Sequence, residues 1–395
     1  MLPTILSPDK FGYFQVGNFK TYSKLEAIDI QHVTGQWPKW YFNDEIFNQY
    51  NWFLEPLTDI DTLYQMRARQ IREAYDYCVL FFSGGADSTN ILSSWYAAGC
   101  QMDEIVVMHT NDVREEHINK NYDWGSEIQQ VTQPIINQLR KQGHTFKYRE
   151  IYTPDLILEY IKQVKENYFY YSNHCLSPNS PFKSILREKI DDYRKIIDSG
   201  KRLCFIHGIE KPHITVDKNS GQWFFSFTDQ LDTCVSPYVQ ERYNQGWYDE
   251  LFYWTPDLPE LPIKQAHITK RFCETVNDKS FYQVKPTGHG YNFTLKMYLT
   301  LNATRKLLYP TTWNPKIYQA SKSRHSAIRP GYGNLAFSER DGWFFRSQNR
   351  LVRNYATGME GYLQKLKNNN FYDWTDTSPN ALTVIKQSMK TFQFA

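Results

Sequence analysis

Between Ser83 and Thr89 the chain reads Ser-Gly-Gly-Ala-Asp-Ser-Thr. Two adjacent glycines remove two Cβ atoms, so the backbone there can take positive φ and approach an anion closely. Successive N–H groups in such a turn form a nest for phosphate oxygens. Ser83, Ser88 and Thr89 add hydroxyl donors. Asp87 repels a phosphate directly, and its useful chemistry there is to hold a Mg²⁺ that bridges phosphates. GxxxxGK[ST] is absent and no Lys lies in the turn, which excludes a Walker A loop. Gly331-Tyr332-Gly333 with Ala336 follows Pro330 rather than a strand, so it is no dinucleotide fingerprint either.

The elements that must position this turn are legible around it. The apolar run Tyr77–Phe82 predicts a buried strand ahead of the glycines, and a helical pattern follows from Ser88 to about Ala98, ended by Gly99. A helix is predicted upstream from Leu63, Met66, Ile71 and Ala74, with Asp61 as its N-cap. Downstream, Ile105–Val107 predict a second strand and Ile128, Val131, Ile135 and Leu139 a helix near 126–142. A weaker strand, "TFKYREIY", precedes a helix opened by Thr153 and Pro154. A further helix runs to Gly200, and "RLCFIHG" gives a fourth strand. Strands alternating with helices imply right-handed crossovers and a parallel, doubly wound α/β sheet. In such sheets ligands bind beyond the carboxyl ends of the strands, where the Gly-rich turn lies. A hairpin is expected around Asp217–Gly221. The chain divides into an N-terminal extension (1–60), the α/β domain (61–230) and a mostly helical, loop-rich C-terminal region (231–395).

SGGxDS between a strand and a helix resembles the pyrophosphate loop of the N-type ATP pyrophosphatases. That group includes asparagine synthetase, GMP synthetase, NAD synthetase and several tRNA-modifying enzymes. The resemblance spans Tyr64 to Asp229 and implies a Rossmann-type, adenine nucleotide alpha hydrolase-like fold. It further implies that ATP is cut between its α and β phosphates, leaving pyrophosphate and an adenylated substrate oxygen for a nucleophile to attack. On this resemblance Ser83, Gly84, Gly85, Ser88 and Thr89 meet pyrophosphate, and Asp87 holds Mg²⁺. Met108, His109 and Thr110, at the end of the second strand, face adenine and ribose. The fourth strand ends in "IHGIEKPH", where asparagine synthetase-like proteins place a second active-site segment; Gly208 belongs to it. There Lys211 meets charge on the α-phosphate, and Glu210 binds a second Mg²⁺ or acts as a base. A solvated Glu-Lys pair ahead of Pro212 is the equal alternative. His207 and His109 are candidate donors that more often prove structural.

The layout around "LFYWTPDLPELPIKQAH" resembles phage-type asparagine synthetase-like proteins. Leu2 stands where a glutaminase would carry its catalytic Cys, and no Cys precedes Cys78, so no N-terminal glutaminase is expected. The acidic Gly-rich segment that binds aspartate in true asparagine synthetases is not evident. Three readings follow. The first is an AMP-forming ligase adenylating a carboxylate or amide oxygen ahead of a nitrogen nucleophile. The second is a base-modifying enzyme of RNA or DNA, and the third a nucleotide-binding protein without turnover.

The second reading draws on charge distribution. Net charge is only +3, but no Asp or Glu occurs from Lys279 to Ser338. Lys279, Lys285, Lys296, Arg305, Lys306, Lys316, Lys322, Arg324 and Arg329 fall inside, interleaved with tyrosines and Trp313. Such a segment suits phosphate-rich partners, because cations neutralise phosphate and flat rings stack on bases. A solvated basic face is the plainer alternative. The six cysteines are scattered without a CxxC pair, which argues against a disulfide scaffold or zinc ribbon and for reduced thiols in a cytoplasmic protein. No apolar run approaches the length of a membrane span, and "MLPTILSPDKFGYF" lacks a signal-peptide pattern.

Overall fold

Residues 3–109, 131–152, 190–208, 213–216, 220–227, 239–275, 304–313 and 390–395 are described by the computed structural model. The helix expected from Thr153, the calls on Thr110, Glu210 and Lys211, and most of the acid-free segment lie outside them.

The N-terminal region builds a small antiparallel sheet, Phe19–Thr21 (β2) and Lys39–Tyr41 (β3) on either side of Tyr13–Val16 (β1). Two helices, Lys24–Thr34 (α1) and Asp44–Phe47 (α2), complete it. Helix α3 (Ile60–Ala74) leads into the α/β core. Its N-cap is Asp59, not Asp61 as the pattern predicts. Asp59 has extended backbone and accepts from the Thr62 N–H at 2.8 Å, whereas Asp61 sits inside the first turn.

The core strands are β4 (Tyr77–Phe81), β5 (Glu104–His109), β6 (Lys147–Tyr152) and β7 (Leu203–His207). Helices α4 (Ala86–Ala97), α5 (Gln133–Lys141) and α6 (Asp191–Asp198) fall between them. The later elements are β8 (His213–Val216), β9 (Trp223–Phe227), α7 (Val239–Asn244), β10 (Trp247–Leu251), α8 (Glu260–Thr275) and β11 (Lys390–Gln393). The main sheet runs β10-β7-β4-β5-β6 with every pairing parallel. The chain thus winds outward from β4 in one direction through β5 and β6, then in the other through β7 and β10. Right-handed crossovers put the two sets of helices on opposite faces, which is the doubly wound, Rossmann-type α/β architecture expected from the sequence. The near-continuous burial of β4 and β7 fits strands covered on both sides.

The fifth strand, β10, lies past residue 230, so the parallel sheet extends beyond the segment in which the alternation of strands and helices is legible. Its sequence, Trp-Tyr-Asp-Glu-Leu, hides a buried strand behind two carboxylates. Both are compensated inside the core. Asp249 pairs with His207 at 2.8 Å. Glu250 accepts from Arg67 Nη2 at 2.6 Å and also from Lys10 and Tyr75. Asp257 joins this network through Arg67 Nη1 at 3.0 Å, Lys10 at 3.7 Å and the Ile5 N–H at 2.8 Å. Buried charges persist only when paired and hydrogen-bonded, and here the pairing ties the N-terminal region to the parallel sheet.

A third sheet, β11-β9-β8, is antiparallel, with the expected hairpin between β8 and β9. It shares an aromatic cluster with the N-terminal region. Phe227 lies 4.5 Å from Phe47 and 4.9 Å from Phe42, centroid to centroid, and Trp52 stacks on Phe392 at 4.6 Å. Trp254 and Phe225 join the same seam, edge-on to one another. Among the described residues no helix is long and apolar enough to cross a membrane.

Candidate nucleotide site

The winding reverses between β4 and β7, and the crevice beyond the carboxyl ends at such a reversal is where doubly wound sheets bind ligands. The Gly-rich turn joins β4 to α4 at that crevice. Gly84 has φ 73°, and a Cβ on it would stand 2.5 Å from Thr132 Oγ1. Glycine is therefore required twice over, by conformation and by space. Gly85 is the N-cap of α4 with extended backbone, and no side chain caps the helix. The first N–H groups of a helix lack intrahelical acceptors, and the helix dipole favours an anion at that end. Ser83 Oγ lies 3.3 Å from Ser88 Oγ and accepts from the Gly85 N–H at 3.3 Å. Ser88 Oγ donates to the Gly85 carbonyl at 3.1 Å, which knots the turn closed. The Thr89 hydroxyl, in the first turn of α4, makes no hydrogen bond.

The strand across the crevice comes close. A Cβ on Gly208 would meet Ile91 Cδ1 at 3.1 Å and the Asp87 carbonyl carbon and Ser88 nitrogen at 3.6 Å. The end of β7 therefore lies directly against the first turn of α4. On the other side, β5 pairs in parallel with β4, and its last residues are Met108, which is buried, and His109. The structure thus gathers Ser83, Gly84, Gly85, Asp87, Ser88, Thr89 and Gly208 into one site, with Met108 and His109 ending the adjacent strand. His207 is buried, bonded to Asp249 and stacked on Phe81 at 5.6 Å, so its described contacts are structural.

Asp87 has partners that the pattern of the turn did not announce. Its Oδ1 accepts from Tyr309 Oη at 2.7 Å, its Oδ2 lies 3.7 Å from Arg305 Nη2, and its carbonyl accepts from Tyr253 Oη at 2.8 Å. Asn90, one turn along, donates to Tyr253 Oη at 3.2 Å and accepts from Thr312 at 3.3 Å. Burial, then the nearby Asp87 carboxylate, pushes the Tyr309 phenol well above its ordinary range, so it remains a donor. Arg305 and Tyr309 come from the acid-free segment whose composition had marked it. Thr132 carried no signal. It precedes α5, is fully buried, and its hydroxyl has no hydrogen-bond partner.

Among the described residues no group of three or more His, Cys, Asp or Glu is placed to hold a metal ion. Asp87 by itself suits Mg²⁺, which is commonly held by one or two carboxylates together with substrate phosphates and water. Its side chain is 21% exposed, which leaves the carboxylate partly open to solvent.

No protein-family profile and no curated protein matches the sequence. Among solved structures, the chain is similar to an NH3-dependent NAD synthetase from Campylobacter jejuni, determined in complex with nitrate. The TM-score is 0.27 at 16% identity, over 39% of this chain and 58% of that one. The chain thus spans less than two thirds of that enzyme's length.

Proposed function

We propose that the chain binds ATP over the carboxyl ends of β4, β5 and β7 and cuts it between the α and β phosphates. Pyrophosphate leaves, and a carboxylate or amide oxygen of the substrate is adenylated before a nitrogen nucleophile displaces AMP. The observation that carries this reading is the turn itself. Gly84 is held at positive φ against the unpartnered Thr132 hydroxyl, and α4 opens uncapped at the sheet's switch point.

Within this reading the N–H groups at the head of α4 and the hydroxyls of Ser83, Ser88 and Thr89 take the phosphate oxygens. Asp87 holds Mg²⁺, which when bound offsets the charge that develops on the leaving pyrophosphate. Met108, His109 and Thr110 border adenine and ribose, Gly208 lets β7 close against the phosphates, and Lys211 and Glu210 supply the cation and the base.

A second reading, modification of a base in RNA or DNA by the same chemistry, rests on the basic, acid-free composition of Lys279 to Ser338.

Radiolabelled ATP offered with amino acids, amines and nucleic acids tests these readings. AMP and pyrophosphate release with a small carboxylate acceptor is expected, and Asp87→Asn is expected to abolish Mg²⁺-dependent turnover. AMP release only with nucleic acid, together with a steep salt dependence of its binding, selects the second reading. ATP binding without AMP release leaves a nucleotide-binding protein without turnover, and absence of ATP binding refutes all three.

A further inference from the structure

We propose that Thr132 is a phosphate-binding residue of the nucleotide site, supplied from outside the Gly-rich turn. The inference rests on the nucleotide reading above and adds a donor that the turn itself does not contain. It begins from the supply of hydrogen bonds. The turn carries no Lys or Arg, so what it offers an anion is N–H and O–H donors. Two of its hydroxyls are tied into the turn. Ser88 donates to the Gly85 carbonyl at 3.1 Å, and Ser83 accepts from the Gly85 N–H at 3.3 Å. The Thr132 hydroxyl has no such commitment. It is fully buried and has no hydrogen-bond partner.

A buried hydroxyl without a partner is costly and uncommon in native structures. Valine has nearly the same shape without the polar atom, so filling space does not by itself account for threonine here. Its position supplies the reason. A Cβ on Gly84 would stand 2.5 Å from Thr132 Oγ1, 3.4 Å from Val131 Cγ1 and 3.5 Å from the Thr132 nitrogen. Of these atoms the hydroxyl oxygen comes nearest, so it faces the loop at the residue held at positive φ. The frame around it is fixed. Val131 is buried beside it, and Gln133 donates to Tyr148 Oη at 3.0 Å and to Glu150 Oε1 at 2.6 Å, which ties the start of α5 to β6. A second observation converges on the same loop. Helix α4, twelve residues long, starts after Gly85 with no side-chain cap, and its dipole favours an anion at that end. A hydroxyl donating to a phosphate oxygen makes a charge-assisted bond, stronger than one to a neutral acceptor. A phosphate oxygen seated in the turn reaches this hydroxyl when the Gly84 backbone shifts aside, a movement that glycine's conformational freedom permits. Gly84 gives the room and Thr132 the donor.

Calorimetric titration of the full-length chain with inorganic pyrophosphate, ATP and adenosine tests the proposal, with Thr132→Val and Thr132→Ser beside the parent. Thr132→Val is expected to weaken pyrophosphate and ATP binding about tenfold and to leave adenosine binding unchanged. Thr132→Ser keeps the donor and is expected to retain most of the pyrophosphate affinity. Parental pyrophosphate affinity in Thr132→Val overturns the proposal while leaving the nucleotide reading standing. An equal loss in Thr132→Val and Thr132→Ser also overturns it, since that marks packing rather than a donor. Failure of the parent chain to bind either ATP or pyrophosphate overturns both readings. If thermal unfolding shows Thr132→Val to be unfolded, Thr132→Ser is compared with Thr132→Ala instead. Tighter pyrophosphate binding by the serine variant is then expected, and equal affinity overturns the proposal.

Discussion

The phenol of Tyr309 donates a hydrogen bond of 2.7 Å to the carboxylate of Asp87, across 222 residues of sequence. A donor lost from a partly exposed carboxylate is replaced in part by water, so Tyr309→Phe is expected to destabilise the fold by about 1–2 kcal/mol. Urea unfolding with an unchanged m-value is the measurement, and an unshifted midpoint would contradict the contact.

A second consequence of the same cluster appears in alkali. Burial raises the phenols of Tyr64, Tyr253 and Tyr309 above their ordinary range. In the unfolded chain they ionise near pH 10, in the folded chain later, so above about pH 10 the unfolded state gains relative stability. Stability is expected to fall progressively as pH rises past 10. Tyr309→Phe should lessen that slope.

Gly84→Ala forces a side chain into positive φ and towards Thr132 Oγ1. A loss of about 1–3 kcal/mol is expected, together with loss of ATP binding. Thr132→Ala removes the atom that the new methyl meets. A double-mutant cycle should therefore show the pair to be non-additive, with part of the stability loss recovered by the second substitution. Simple additivity would place the penalty wholly in the backbone.

Arg67 is fully buried between Glu250 and Asp257. Arg67→Met leaves both carboxylates short of a partner, at an expected cost of about 3–5 kcal/mol. Burial alone raises the Asp257 carboxyl, but Lys10 and Arg67 more than offset this and hold it below its ordinary value. The sign follows. This contribution is intact above the ordinary carboxylate range and is lost as pH falls through the lower, folded value. Acid titration of the parent should show it, and Arg67→Met should flatten it.

Cys78 and Cys204 are register partners on β4 and β7, and both are buried and reduced. Burial raises both thiols, and it pushes Cys273 up to about 12. The thiolate is the reactive form, so these three should resist iodoacetamide at pH 8 in the native protein and react once it is unfolded. Mass spectrometry locates the modified sites, and native labelling of Cys78 would refute the packing.

The four strands from β4 to β7 and the head of α4 were legible because apolar runs, glycines and helical spacing all agree there. The turn's residues could be named because local conformation alone demands them. β10 escaped because Asp249 and Glu250 look like solvent-facing residues until their partners from Lys10, Arg67 and His207 are known. Thr132 escaped for the same reason, and so did the contact of Tyr309 with Asp87, although composition had marked the segment that holds Tyr309. Their importance comes from a neighbour far along the chain, and no local period records it. Asp59 displaced Asp61 as N-cap by two residues because capping depends on backbone geometry that composition does not fix.

The pairing of β11 with β9 also sets an order of events in time. Phe225 and Phe227 are translated more than a hundred residues before Thr391 and Phe392, which complete their sheet. At ribosomal speeds of about 5–20 residues per second, that interval lasts on the order of ten seconds. During it, a strand rich in phenylalanine has one edge without its β11 partner, while β10 of the parallel sheet is made early in the same interval. That edge of β9 gains its β11 partner only when Lys390–Gln393 has been made, so the sheet closes late in synthesis.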